Sequence, residues 1–192
     1  GDEYLGIALG GLTKGVSPEQ MASAYTAFAN KGVRVQPRFV TKIVDANGKV
    51  VVDNTAVKEN RVTTEEVAKK MTSMLLTVYG SEGLGAPFSP AGKTIAGKTG
   101  TTEAINNDNG SRDQWMIGYT PDVVVATWMG YDQSGNYSLS ASSREGVGPL
   151  FKLEMEGLLQ FTANTPFNVE AVKTKQNNQN NNTNNGVDQF IK

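Results

Sequence analysis

The sequence predicts an α+β fold in which an antiparallel sheet is flanked by helices. Three observations support this class: capping patterns open two helices in the first half, β-rich runs joined by a short turn follow in the second half, and an amphipathic segment closes it. The 192 residues fit one domain, and a hydrophobic content of 38% is enough for a core. We expect the folded part to span residues 1–165.

The first helix is marked by Ser17-Pro18-Glu19-Gln20, which offers an N-cap serine, a proline at the first helical position and a capping-box glutamine. Asn30-Lys31-Gly32 ends this helix. A β-rich run follows at residues 33–40. Two further β-rich runs, at residues 42–45 and 49–52, are joined across Ala46-Asn47-Gly48 and predict a hairpin.

A second capping box, Thr63-Thr64-Glu65-Glu66, predicts a helix that stops at Gly80. The turn Thr120-Pro121-Asp122 is short enough to make the strands on either side of it antiparallel neighbours. The amphipathic segment at residues 149–159 is expected to cover one face of the sheet. Three strands are predicted before it, at residues 94–102, 114–119 and 123–129.

Composition excludes several kinds of chemistry. The chain has no His and no Cys, so a Ser-His-Asp or Cys-His nucleophile and the usual zinc ligands are absent. A net charge of −1 argues against a nucleic-acid partner. We interpret Asp113, Asp122 and Asp132 as turn residues, and we expect neither a metal nor a cofactor. Trp115 and Trp128, on adjacent strands, are predicted to be core residues.

The two ends of the chain suggest a piece of a longer protein. The sequence begins Gly1-Asp2-Glu3 without a methionine, and no run approaches the roughly 18 apolar residues of a membrane helix. Any membrane anchor is therefore expected upstream of this chain. Residues 166–192 are predicted to be a disordered tail, because seven of the ten residues at 176–185 are Asn.

The segment Ala96-Gly97-Lys98-Thr99-Gly100-Thr101-Thr102 carries the candidate chemistry. On a strand, Thr99 and Thr101 share one face while Lys98 points to the other. The glycines at 97 and 100 have no Cβ to obstruct a substrate backbone. If this strand is a sheet edge, a peptide can pair with it while the hydroxyls and the ammonium hold a carboxylate.

Lys98-Thr99-Gly100 resembles the third signature of the active-site serine penicillin-recognising enzymes, whose set is S-x-x-K, S-x-N and K-T-G. The flanking strings Trp115-x-x-Gly118-Tyr119-Thr120-Pro121 and Val125-Ala126-Thr127-Trp128-Met129-Gly130 resemble penicillin-binding proteins. Upstream, Gly15-Val16-Ser17-Pro18 and the helix after it resemble class A, bifunctional members. The resemblance covers about residues 4–162.

This resemblance implies a serine β-lactamase/transpeptidase-like fold, incomplete in this chain. It implies D,D-transpeptidation of peptidoglycan stem peptides through an acyl-serine, and binding of β-lactam antibiotics. By position, Lys98 would be catalytic and would hydrogen-bond the S-x-N serine. Thr99, Gly100 and Thr101 would bind substrate, the threonines through its carboxylate, and the Thr101 N–H would supply half of the oxyanion hole, a catalytic role.

The chain departs from the family pattern because it contains no S-x-x-K. Thr55-Ala56-Val57-Lys58 is the nearest string, and Ser134-Gly135-Asn136 spells S-x-N but follows the K-T-G it should precede. We therefore expect the N-terminal half of the same protein to carry the serine and to be this chain's partner. The expected location is the extracytoplasmic face of the cell membrane, through an anchor outside this chain.

Two alternatives remain open from the sequence. The chain could be a piece of a serine β-lactamase or a D,D-carboxypeptidase, which share K-T-G. It could also be a non-catalytic binding or scaffold module that presents an edge strand to a partner.

Overall fold

A computed structural model describes residues 3, 5–104, 110–132 and 137–169 of the chain. The predicted α+β class is confirmed: one three-stranded antiparallel sheet lies between helices, and two short antiparallel strand pairs accompany it. The helices and strands are α1 (Pro18–Ala29), β1 (Val33–Val35), β2 (Lys42–Val44), β3 (Val50–Asp53), β4 (Glu59–Arg61), α2 (Glu65–Leu75), β5 (Ala96–Glu103), β6 (Ser111–Tyr119), β7 (Val124–Gly130) and α3 (Val147–Leu159).

The three-stranded sheet has the order β5-β6-β7, and both strand pairings are antiparallel. The predicted strands and their turn are thereby confirmed. Side chains alternate along each strand, so the sheet presents two faces. The helix α3 covers one face, and α1 and α2 cover part of the other. The sheet therefore forms the middle layer of this part of the chain.

The α3 face holds the larger core cluster. Phe151 and Met155 of α3 are fully buried against Met116 of β6, as the predicted amphipathic helix requires. Gly118 lets α3 approach closely, because a Cβ at this position would lie 2.4 Å from Phe151 Cζ. Close helix-to-sheet contact thus depends on a glycine in β6.

The opposite face is centred on the buried ring of Tyr119. The rings of Tyr25, Phe28 and Phe167 surround it, with centroids 5.8 to 6.5 Å away. Its hydroxyl hydrogen-bonds the Thr72 hydroxyl at 2.8 Å. Burial raises the pKa of Tyr119 to about 12, so the ring remains neutral at ordinary pH.

The first helix begins and ends as predicted. The Ser17 hydroxyl accepts from the Gln20 N–H, the Gln20 side chain accepts from the Ser17 N–H, and Pro18 is the first helical residue. Lys31 and Gly32 then adopt positive φ angles of 53° and 90°. Glycine is required at position 32, because a Cβ there would lie 2.3 Å from the Thr63 carbonyl oxygen.

The second helix differs from the prediction at both ends. Its N-cap is Thr64, whose hydroxyl accepts from the Val67 N–H, so the predicted capping box starting at Thr63 is wrong by one residue. The α-helix ends at Leu75 and continues only as a 3₁₀ turn to Val78, short of Gly80. Its last residues tighten from α-helical to 3₁₀ hydrogen bonding, a common way for a helix to end.

The hairpin across residues 46–48 is confirmed, since β2 pairs with β3. The predicted strand at residues 33–40 is shorter than expected and comprises only β1. Pro37 interrupts the run, because it has no N–H to donate to a neighbouring strand. Instead β1 pairs with β4, a polar strand whose sequence gave no β signal.

Most of the predicted tail, residues 170–192, lies outside the described residues. The described chain runs on beyond α3 as far as residue 169. The carboxylate of Asp122 accepts hydrogen bonds from the Thr165 hydroxyl and N–H at 2.6 and 2.7 Å. The boundary between residues 165 and 166 stays a prediction.

Candidate active-site strand

The candidate strand β5 lies at the edge of the three-stranded sheet. Within the described residues it pairs with β6 alone, so its other side leaves alternate backbone N–H and C=O groups without a neighbouring strand. A strand at a sheet edge can pair with an extended peptide, so this position is compatible with the peptide binding expected from the sequence.

Lys98 and the two threonines project from opposite faces of β5. Lys98 is opposite Ile117, on the face that carries Tyr119. Its side chain is exposed, and its ammonium donates to the Thr99 carbonyl oxygen at 2.8 Å. Thr99 and Thr101 are opposite Met116 and Gln114, on the face covered by α3. The alternation predicted from the sequence therefore agrees with the observed register.

The Thr101 hydroxyl meets a second hydroxyl that the sequence did not single out. The Oγ atoms of Thr101 and Ser143 are 3.1 Å apart. Ser143 belongs to the loop that precedes α3, 42 residues away along the chain. Thr101 is exposed and Ser143 half-buried, so both remain accessible to a ligand at the edge.

The two glycines beside Lys98-Thr99 have different surroundings. A Cβ on Gly97 would lie 1.9 Å from the Ile117 carbonyl oxygen, so β5 and β6 approach each other through this glycine. A Cβ on Gly100 would lie 3.5 Å from Trp115 Cβ, which is an ordinary contact. Gly97 is thus a packing requirement, whereas position 100 has room for a methyl group.

Trp115 and Trp128 are opposite each other on β6 and β7, with ring centroids 6.2 Å apart. The prediction that they are core residues is wrong within the described chain, because both are only half-buried and neither belongs to a core cluster. They lie on the Lys98 face, beyond the end that α1 and α2 cover around Tyr119. Trp128 also donates through Nε1 to Asp113 Oδ1 at 3.0 Å.

Of the three aspartates interpreted as turn residues, Asp113 lies within β6, so that interpretation is wrong for this residue. Asp113 and Asp122 have polar partners within the described fold. Asp113 accepts from Trp128, and Asp122 accepts from Thr165, which lowers the pKa of the Asp122 carboxyl below its usual value. Asp132 is exposed. Across the described ranges, no three His, Cys, Asp or Glu side chains are grouped so as to hold a metal ion.

The two strings that partly match missing motifs add nothing to this strand. Ser134-Gly135-Asn136 lies outside the described residues. Thr55 of the S-x-x-K-like string lies in an exposed loop after β3, where its hydroxyl and N–H bind the Asp53 carboxylate. In the part of the chain that the structure covers, no helix is both long and apolar enough to cross a membrane.

Comparison with known proteins gives one consistent family. The family model described as "Penicillin binding protein transpeptidase domain" matches residues 3–152. Penicillin-binding protein 2a of Streptococcus pneumoniae is 41% identical over 170 residues, covering 88% of this chain and 23% of that protein. Penicillin-binding protein 1F of Bacillus subtilis is 39% identical over 143 residues, covering 74% of this chain and 20% of that protein.

Solved structures agree with these relatives. The PonA1 protein of Mycobacterium tuberculosis in complex with penicillin V superposes with a TM-score of 0.62 at 33% identity. The superposition covers 78% of this chain and 41% of that one. The chain therefore spans less than a quarter of each of the two curated relatives and less than half of the solved one.

Proposed function

The chain belongs to the penicillin-binding protein transpeptidase domain family, and from that membership we propose that β5 forms one wall of a peptidoglycan D,D-transpeptidase active site. The observation that carries the proposal is the position of Lys98-Thr99-Gly100 on the free edge of the sheet, with the ammonium exposed on one face and the hydroxyls on the other. A stem peptide can extend the sheet along this edge.

Each residue of the strand has a separate role in this proposal. Thr99 and Thr101 bind the carboxylate of the terminal D-alanine, or that of a β-lactam, through charge-assisted hydrogen bonds. Gly100 allows the substrate backbone to approach. The Thr101 N–H donates to the oxygen that becomes negative when the serine attacks, a contact whose loss typically costs about 10²–10³ in turnover.

Lys98 supplies a positive charge on the face of β5 opposite to the two threonines. Its ammonium hydrogen-bonds the serine of the S-x-N motif, which comes from sequence outside this chain. In the described structure it has only the Thr99 carbonyl oxygen as partner, so it is available for such a contact.

The nucleophile belongs to the N-terminal half of the same protein, since this chain contains no S-x-x-K. The chain alone is therefore inactive, and it acts at the extracytoplasmic face of the membrane through an anchor outside it. The matching family model is described as a transpeptidase domain, which favours a transpeptidase over a β-lactamase or a carboxypeptidase. That PonA1 was solved with penicillin V supports β-lactam binding here as well.

Acylation by a fluorescent penicillin tests the proposal. The probe is added to this chain alone, to the complete product of its gene, and to the Lys98→Ala variant of that product. We expect no label on the chain alone, label on the complete product, and a rate about 10- to 100-fold lower in the variant, because a hydrogen bond from a charged group is lost.

Lys42→Ala is the matched control, because Lys42 is an exposed lysine on β2, away from the three-stranded sheet. It removes the same charge, and the labelling rate is expected to stay at the wild-type value. A complete product that folds but takes no label would contradict the transpeptidase proposal and favour a scaffold module.

A further inference from the structure

Gln114 is a polar side chain with no exposed surface, directly opposite Thr101 in the sheet. Its Nε2 donates to the Ser111 hydroxyl at 2.8 Å and to the Ala141 carbonyl oxygen at 2.7 Å. Its Oε1 accepts from the Val147 N–H at 3.4 Å. One buried amide thus joins β6, the loop before α3 and the first residue of α3.

The loop that Gln114 holds is fixed at several further points. It begins with Leu139, which exchanges two backbone hydrogen bonds with the start of β6. Glu145 accepts from both the hydroxyl and the N–H of Ser142, which lowers the pKa of its carboxyl. The Ser143 carbonyl oxygen accepts from the Gly148 N–H at 2.9 Å, so the Ser143 backbone is tied to α3.

The fixed loop brings the Ser143 hydroxyl to 3.1 Å from that of Thr101. One of these hydroxyls donates to the other, so one O–H remains free at any time. A carboxylate at the edge can accept from the free O–H, and both can turn toward it if the mutual hydrogen bond opens. The pair therefore offers one or two donors to a single anionic group.

We propose that Ser143 is a further carboxylate-binding residue of this site and that Gln114 is the positioning residue that holds it beside Thr101. The inference rests on the proposed function, because it assigns the carboxylate of the stem peptide or β-lactam as the ligand. It adds a third hydroxyl, from the loop before α3, to the two that β5 supplies.

The test compares two probes on the complete gene product: a penicillin as the free acid and the same penicillin as its methyl ester. Ser143→Ala is expected to slow acylation by the free acid about tenfold, because a hydrogen bond to a charged group is lost. The rate with the ester is expected to change little, since the ester carries no negative charge. Ser143→Thr keeps a hydroxyl and is expected to restore most of the free-acid rate.

Ser140→Ala is the matched control, because Ser140 is an exposed serine in the same loop. It is expected to leave the acylation rate of both probes unchanged. If Ser143→Ala slows the two probes equally, the loop only supports the fold and the inference is overturned.

The role of Gln114 is tested with Gln114→Met, which keeps the length of the side chain and removes its hydrogen bonds. The free-acid rate is expected to fall in the wild-type background and not to fall further in the Ser143→Ala background, since the two residues act as a unit. Equal effects in both backgrounds would overturn the positioning role.

The Ser143 variants keep the inference testable even if Gln114→Met fails to fold. A complete gene product that folds and takes no penicillin would contradict the proposed function itself. Normal labelling with an unaffected Ser143→Ala variant would overturn only this further inference.

Discussion

The substitution Gly97→Ala tests whether close contact between β5 and β6 holds the candidate strand in place. The new Cβ would lie 1.9 Å from the Ile117 carbonyl oxygen, whereas real Cβ atoms essentially never approach closer than 3.0 Å. The two strands must therefore separate by about 1 Å beside Lys98. Overpacking of this kind typically costs about 1–3 kcal/mol of stability.

The same displacement moves the atoms that would bind substrate. A misplacement of about 1 Å in an active site can cost about 10²-fold in rate. We therefore expect Gly97→Ala to slow acylation of the complete gene product by fluorescent penicillin about 100-fold while the protein remains folded. The acylation rate is obtained by quenching the labelling reaction at successive times, and thermal unfolding gives the change in stability.

Two other glycines provide controls for this prediction. Gly100→Ala places its Cβ at an ordinary contact distance from Trp115, so it controls for the effect of a methyl group on the stability of the same strand. Gly157→Ala places its Cβ in open space on α3 and controls for the acylation rate. The reasoning is refuted if Gly97→Ala matches Gly100→Ala in stability and Gly157→Ala in acylation rate.

Four further outcomes are expected. Tyr119→Phe should lower the free energy of unfolding by about 1 kcal/mol in chemical denaturation, because the hydrogen bond to the Thr72 hydroxyl is lost. Because burial raises the pKa of Tyr119, the stability contributed by the neutral ring is complete below pH 10 and is lost as the pH rises toward about 12. The melting temperature measured from pH 8 to 12 should therefore fall less steeply in Tyr119→Phe than in the wild type. The lowered pKa of Asp122 means that its carboxylate contributes stability above about pH 4, which is lost as the pH falls through the lowered pKa. Asp122→Asn should therefore remove part of the decrease in melting temperature measured as the pH is lowered from 6 to 2. The chain expressed alone exposes large apolar side chains such as Leu5 and Phe161, at 94% and 88%, so it should be poorly soluble, and a cooperatively folded monomer in size-exclusion and melting experiments would contradict this.

Local signals predicted the elements whose determinants are local. The first helix followed from Ser17, Pro18 and Gln20, because a capping box is satisfied within four residues. The hairpin followed from Asn47-Gly48 for the same reason. The predicted start of the second helix differs from the observed one by one residue, because Thr63 and Thr64 are both good N-caps and only the structure distinguishes them.

Pairings between distant segments were harder to predict. The strand Glu59–Arg61 is polar and three residues long, and its β structure comes from pairing with Val33–Val35. Phe167 lies in the predicted tail, yet its ring packs against that of Tyr119, with the two centroids 5.8 Å apart. Both features depend on contacts that no local pattern encodes.

The candidate site was predictable where a strand carries it and not where a loop completes it. Lys98, Thr99 and Thr101 followed from the K-T-G string and from alternation along a strand. Ser143 is one serine among several in its loop and had no signal of its own. Gln114 did carry one, because it shares a strand face with Met116 and Gly118, and a polar residue on a core face needs partners.

The open edge of β5 has a consequence for the solution behaviour of the protein. Among the described residues β5 has a neighbouring strand on one side only, and an edge that is free to accept a peptide is equally free to accept the same strand of another molecule. Charged side chains, lysine above all, are a common natural protection against such edge-to-edge association. Lys98 is the positively charged residue of this strand, and the negatively charged Glu103 is its last residue. Replacing Lys98 therefore removes a charge that opposes self-association as well as the proposed contact with the S-x-N serine. The activity of that variant has to be measured on protein shown to remain unassociated.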